Sequence, residues 1–179
     1  MLCYLVTYMN EEIYDVTEVQ LPGYDGDPYG DTVPFTVGSN QTIITDEEAD
    51  GEIRGEADEA RCLDTRMSDA PATTAAMVAL TAATEVLEEK PYTGGCKAFW
   101  TSQEFKELGW QKNHALYKGV HCVILCDGGD FAPLLNVAYE DYENLNKFHS
   151  ALRKRGYVVR RLTHFAYGLI PKGEQDESM

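Results

Sequence analysis

Apolar and polar residues alternate in short runs along the first 45 residues, and this pattern predicts strands joined by turns. The four runs cover residues 2–9, 13–21, 32–37 and 41–45. The polar stretches Asn10-Glu11-Glu12 and Gly38-Ser39-Asn40 have the composition of hairpin turns. We therefore expect an antiparallel β-meander over residues 1–45.

An alanine-rich stretch at residues 71–90 predicts a helix, since alanine has the highest helix propensity. Ser68 or Asp69 can cap its start, and Pro91 stops it. Four residues at helical spacing are expected to face the core: Met77, Leu80, Thr84 and Leu87.

Two further helices are predicted downstream. Residues 101–109 begin with the S/T-x-x-E pattern of a capping box, in Thr101 to Glu104. Residues 139–155 carry acids in the first turn and bases in the last, which complements the helix dipole. Five residues form the apolar stripe of the latter helix: Ala138, Tyr142, Leu145, Phe148 and Leu152.

Strands account for most of the remaining apolar sequence. Residues 119–127 predict a buried strand, 133–137 a short edge strand and 157–170 a final strand. The predicted class is α+β: an N-terminal antiparallel β-meander, then an acidic connector, then helices packed on a small mixed sheet. We expect one domain, made of residues 1–45, a connector at 46–70, an α/β portion at 71–171 and a frayed tail at 172–179.

Charge is divided unevenly along the chain, whose net charge is -15 over 179 residues. Residues 1–90 hold 20 acids against 4 bases, and residues 91–179 hold 10 against 11. A chain this acidic is a poor conventional nucleic-acid binder, so direct binding of nucleic acid is not expected. Halophilic proteins spread acid along the whole chain, which the neutral second half does not match.

The acids are densest between positions 46 and 59, where little apolar periodicity predicts an exposed connector. The eight acids are Asp46, Glu47, Glu48, Asp50, Glu52, Glu56, Asp58 and Glu59. A matching basic cluster lies in the second half, at Arg153, Lys154, Arg155, Arg160 and Arg161.

Four interpretations of this acidic segment stay open. It is a solvated loop, a surface that binds a basic protein, a segment neutralised by the chain's own basic cluster, or a cation site.

A second candidate for a cation site is the loop that contains Asp25, Asp27 and Asp31, because the spacing of Asp25, Asp27 and Gly30 matches the start of a calcium loop. Tyr29 and Thr36 depart from that pattern, and a tight Asp/Gly turn is the competing interpretation. We expect neither a metal nor a cofactor.

Five cysteines, an odd number without zinc-like spacing, indicate reduced thiols. With no signal-like N-terminus, they predict a cytoplasmic protein, in the host cytoplasm if the protein is viral. If the chain is an enzyme, Cys96 is a candidate nucleophile and His121 a second candidate catalytic residue. The sequence leaves open which of His114, His121, His149 and His164 would act as the base. Phosphate-binding and hydrolase motifs are missing from the sequence.

In composition the chain resembles the small accessory and inhibitor proteins of phages. The expected function is a non-enzymatic acidic binding or inhibitor protein. Its partner is a protein with a basic surface, engaged by mimicking nucleic-acid charge, and no membrane is involved. The alternatives are an assembly or virion component, and a small Cys/His-dependent hydrolase. The sequence leaves the oligomeric state open.

Overall fold

Three strands, then two helices, and then a mixture of short strands and helices follow one another along the computed structural model, which describes residues 1–174. The α+β class predicted from the sequence is confirmed. The strands are β1 (Leu2–Met9), β2 (Glu12–Gln20), β3 (Gln41–Thr45), β4 (Phe99–Trp100), β5 (Cys122–Leu125), β6 (Tyr157–Arg161) and β7 (Ala166–Pro171). The helices are α1 (Gly51–Cys62), α2 (Ala70–Leu87), α3 (Ser102–Glu107), α4 (Phe131–Leu135) and α5 (Tyr142–Lys154).

The chain divides into two compact units, Met1–Arg61 and the remainder from Cys62 onward. We call these unit 1 and unit 2. That both units belong to one domain stays a prediction. The predicted tail 172–179 begins with a 3₁₀ turn at Lys172–Glu174, and the rest of it lies outside the described residues.

Unit 1 contains a three-stranded antiparallel sheet in the order β2-β1-β3. The predicted first hairpin is confirmed, and Asn10 and Glu11 form its turn with positive φ values of 53° and 69°. The prediction of a second hairpin was wrong. Residues 32–37 form no strand, and β3 pairs with β1 instead. With β1 in the middle, the sheet is not a meander. Pro34 lies within that stretch and has no N–H to donate.

Each face of this sheet packs on a different part of unit 1. On one face, Tyr4, Val6 and Val16 pack against Ile53 and Ala57 of α1. On the other face, the core is completed by the loop after β2, in the cluster of Cys3, Leu21, Tyr24, Val37 and Ile43. The predicted connector at 46–70 therefore contains a helix that completes a core.

Unit 2 contains a four-stranded sheet in the order β4-β5-β7-β6. All of its strand pairs are antiparallel, so the prediction of a mixed sheet was wrong. One face packs against α2, α4 and α5, through side chains that include Phe99, Phe131 and Phe148. The other face is covered by α3 and a 3₁₀ turn at His114–Tyr117, through Phe105 and Tyr117.

Helix α2 begins as predicted, with Asp69 as N-cap and a proline in its first turn, and it ends at Glu88 in the left-handed region. Its buried face differs from the predicted stripe, since Met77 is 55% exposed. Six alanines are buried instead: Ala72, Ala75, Ala76, Ala79, Ala82 and Ala83. By length and composition alone, α2 is the one described helix that could cross a membrane, although its alanine face packs in the core of unit 2.

Other boundaries in unit 2 were partly predicted. The capping box at Thr101 and Glu104 is confirmed, and α5 begins after its N-cap Asp141. Tyr142 of the predicted α5 stripe is exposed. The predicted edge strand at 133–137 is wrong, because Pro133 lies in the first turn of α4, where its missing N–H costs nothing. The predicted final strand at 157–170 is the hairpin of β6 and β7.

Candidate functional site

Helix α1 carries most of the acidic segment, and its start is fixed by a side-chain cap. Asp50 Oδ1 accepts hydrogen bonds from the backbone N–H groups of Glu52 (3.1 Å) and Ile53 (3.0 Å). Ile53 and Ala57, one turn apart, are buried against the sheet of unit 1. The burial of these two residues sets which face of the helix meets water.

Three glutamates of the segment are exposed with free carboxylates. Glu47 lies in the turn before α1, and Glu52 and Glu56 lie on α1 itself. None of the three carboxylates has a hydrogen bond or ion pair with residues 1–174. Glu52 and Glu56 are one turn apart, about 6 Å along the helix axis, so they repel each other by a few tenths of a kcal/mol. We call Glu47, Glu52 and Glu56 the free acids.

Other acids of the segment have structural partners. Arg54 Nη1 lies 3.2 Å from Asp46 Oδ1, and the same Asp46 oxygen accepts from the hydroxyl of Tyr4 at 2.9 Å. Arg61 bonds both Asp58 and Glu18. Together with the capping Asp50, these contacts assign Asp46 and Asp58 to the internal structure of unit 1.

Two pKa shifts report on these contacts. The hydrogen bond to the Asp46 carboxylate, followed by burial, raises the pKa of Tyr4. Hydrogen bonds from the hydroxyl and backbone N–H of Thr45 lower the pKa of Glu48, which therefore ties the end of β3 to the following turn. Glu59 is half-buried. The predicted set of eight thus separates into free acids and acids that hold α1 in place.

Unit 1 cannot neutralise its own charge. Residues 1–61 contain 15 acids and two bases, a net charge of -13, and those bases are Arg54 and Arg61. From Cys62 onward there are 15 acids and 13 bases, a net charge of -2, which together give the stated -15. The excess of negative charge is therefore concentrated in the unit that carries α1.

The basic cluster of unit 2 is engaged by groups of that same unit. Arg155 Nη2 lies 2.5 Å from Glu85 Oε2. Arg160 donates to the carbonyl oxygens of Leu116 and Lys118, and Arg161 donates to that of Thr163. The guanidinium groups of Arg155, Arg160 and Arg161 therefore have partners that are not part of the acidic segment 46–59.

The calcium-loop candidates form turns. Asp25 Oδ1 accepts from the N–H of Asp27 at 3.1 Å, and Asp27 Oδ1 accepts from the N–H of Tyr29 at 2.9 Å. No helices flank the loop, which follows β2. Within residues 1–174, no three His, Cys, Asp or Glu residues, Asp31 included, are grouped to hold a metal ion.

The two candidate catalytic residues, Cys96 and His121, are held far apart. The β4–β5 pairing aligns Phe99 with Ile124, and the bond from Leu125 N to Ala98 O extends the same register. If the same register continues to Cys96, that residue lies opposite Asp127. Asp127 is six residues from His121, which is about 20 Å along an extended strand. Cys96 and His121 therefore do not form a catalytic pair. The two thiols on or beside β5, Cys122 and Cys126, are buried.

Sequence reasoning missed the roles of Arg54 and Arg61. Both lie on the flank of α1 away from Glu52 and Glu56, because successive residues of a helix are 100° apart. The signal was present in the spacing, since Asp58 and Arg61 are an i,i+3 pair. The ion pairs of Arg54 and Arg61 help to determine which carboxylates of the acidic segment lack a cationic partner.

The fold and this site define an α+β protein with a strongly acidic N-terminal unit. No protein-family model matches the chain, and comparisons with curated proteins and with solved structures found no match either.

Proposed function

We propose that this chain is a non-enzymatic binding protein whose free acids engage a basic surface on a partner protein. The observation that carries the proposal is the exposure of Glu47, Glu52 and Glu56 without cationic partners, on a unit with a net charge of -13. Crowded carboxylates repel one another, and a cationic surface bound against them lowers their electrostatic free energy.

A nucleic-acid-binding groove is the kind of basic surface that fits best. A single DNA strand carries one charge per ~3.4 Å of axis, and Glu52 and Glu56 are separated by about 6 Å along α1. A rigid helix therefore presents negative charge at a density of the same order. Occupying such a groove excludes nucleic acid from it, which makes the protein an inhibitor.

Helix α1 is suited to this role because its geometry does not depend on the partner. Its N-cap, its two buried residues and the ion pair of Arg54 with Asp46 fix its position on the sheet. Pre-organised charge loses little conformational entropy on binding, and long-range attraction raises the association rate.

The test compares two variants with equal loss of charge. One is Glu47→Gln, Glu52→Gln and Glu56→Gln. The control is Glu11→Gln, Glu12→Gln and Asp31→Asn, which lie off α1. Each protein is immobilised, incubated with a cell extract at low salt and washed with duplex DNA, and the released proteins are identified by mass spectrometry and purified.

We expect wild type and control to retain DNA-displaceable nucleic-acid-binding proteins, and the α1 variant to lose them. With a purified partner, the α1 variant should bind about tenfold more weakly, as expected from three ion pairs of ~0.5 kcal/mol each. Its melting temperature should stay level or rise. Equal affinity of the two variants at low salt would contradict the proposal.

A further inference from the structure

The outer edge of β6 presents unpaired backbone groups. In the order β4-β5-β7-β6, no described strand pairs with the far side of β6. Lys172 N donates to Gly156 O, and Leu162 N donates to Ala166 O, which fixes the alternation of hydrogen-bonded pairs along the strand. The N–H and C=O groups that point away from β7 are those of Tyr157, Val159 and Arg161.

A small polar pocket lies beside this edge. It is lined by His149 and Arg153 of α5 and by Val158 and Val159 of β6, with a volume of about 70 Å³. His149 and Arg153 are one helical turn apart, so both side chains reach the same place. The volume suits one carboxylate rather than a large side chain.

One residue that lines the pocket, His149, has an unsatisfied ring nitrogen. His149 Nε2 is buried and has no hydrogen-bond partner among the described residues. A buried polar atom without a partner costs free energy, which a bound group can recover. Arg153 adds a fixed positive charge, and its side chain makes no ion pair with residues 1–174.

We propose that the β6 edge and this pocket bind an extended acidic peptide by strand addition. The peptide backbone pairs with the outward groups of Tyr157, Val159 and Arg161, and one of its carboxylates accepts hydrogen bonds from His149 Nε2 and Arg153. This site is separate from the free acids of α1 and does not depend on the function proposed for them.

Charge selects an acidic peptide over other occupants. Residues 153–161 contain five bases and no acid. A second copy paired through β6 brings a second such cluster beside the first, which is unfavourable. Nucleic acid offers phosphate acceptors but lacks the alternating N–H and C=O groups that an open strand edge pairs with.

The probe is a fluorescein-labelled, acetylated hexapeptide of alternating valine and glutamate, and its control has glutamine in place of glutamate. Fluorescence anisotropy measures binding to wild type, Arg153→Gln, His149→Gln and Val159→Pro. Proline at 159 removes an outward N–H and no hydrogen bond to β7, and it also replaces the Val159 side chain that packs against the core of unit 2. Lys172→Gln, outside the edge, controls for the loss of one charge.

We expect the glutamate peptide to bind wild type at least tenfold more tightly than the glutamine peptide. Arg153→Gln and Val159→Pro should each weaken binding at least tenfold, His149→Gln should weaken it severalfold, and Lys172→Gln should leave it within twofold. Equal binding of both peptides, or full binding by Val159→Pro, overturns the proposal.

Hydrogen exchange on wild type keeps the proposal testable if Val159→Pro fails to fold. The peptide should slow exchange at the amides of Tyr157, Val159 and Arg161, while Val158 and Arg160 are protected with or without it. Protection elsewhere overturns the proposal. So does a peptide-free dimer already protected at these three amides, or complete displacement of the peptide by an equal concentration of a single-stranded oligonucleotide.

Discussion

Arg54 and Arg61 each form an ion pair with one carboxylate of the acidic segment. Each neutralises a carboxylate nearby in sequence, and Arg54 also donates to the carbonyl oxygens of Asp46 and Ala49. These contacts tie α1 to the turn before it. The free acids are among the carboxylates that these two guanidinium groups do not reach, and they also lack the local hydrogen bonds of Glu48 and Asp50.

Thiol reactivity follows burial residue by residue. Burial raises the pKa of both Cys122 and Cys126 to about 12, so almost no thiolate forms at these positions at pH 8. Cys3 is also buried, whereas Cys62 and Cys96 are half-buried. We expect iodoacetamide at pH 8 to label Cys62 and Cys96 within minutes and the other three far more slowly, as measured by peptide mass spectrometry.

The unfolded chain is the control for this labelling. In urea all five cysteines should react at similar rates, since burial no longer separates them. Rapid labelling of Cys122 in the native protein would mean that β5 is not held in the core.

At the scale of the element, α1 contains a glycine that its structure does not require. Gly55 is exposed in mid-helix, and a Cβ built there meets nothing within 4 Å. Alanine loses less backbone entropy on folding, so Gly55→Ala should raise the free energy of unfolding by about 0.5–1 kcal/mol in urea denaturation.

Gly23 provides the matched control in the same unit. Its surroundings are equally open, but its φ is +73°, a region that alanine rarely adopts. Gly23→Ala should therefore lower the free energy of unfolding by about 1 kcal/mol. A destabilised Gly55→Ala would show that α1 is not helical at this position.

The helices with local signals were predictable, and the short or irregular elements were not. The caps at Asp69 and Thr101 depend only on residues within three positions in the sequence, so local patterns predict them. Helix α1 was missed because its buried face is only Ile53 and Ala57, with two glycines nearby that lower its helix propensity. The pairing of β3 with β1 depends on contacts between residues about 40 apart in sequence, which local patterns do not encode.

The candidate site was predicted as a region but not as a set of residues. Counting charges located the segment 46–59, since composition needs no coordinates. Separating free acids such as Glu52 from bonded ones such as Glu48 required the Thr45 contacts and the rotation of α1. The pocket of His149 was missed because it needs α5 to pack beside β6.

For the whole molecule, the unequal division of charge predicts an unequal response to salt. Raising NaCl from 0.02 to 0.3 M shortens the Debye length from about 20 Å to about 6 Å, which screens the repulsion within unit 1. We expect amide exchange in residues 1–61 to slow with added salt, and exchange in unit 2 to change little. Hydrogen-exchange mass spectrometry resolves the two units.

The triple glutamine variant on α1 should reduce this salt response, because three of the repelling charges are gone. The control triple should reduce it similarly, since it removes as many charges from the same unit. An equal salt response in both units would contradict the role of charge crowding.

The charge division also has a chemical corollary, because the first lysine of the chain is Lys90. Unit 1 therefore has no lysine side chain. Biotin esters and dyes that react with lysine will tag side chains of unit 2 and none of unit 1. A protein coupled to a sensor chip in this way keeps α1 chemically untouched.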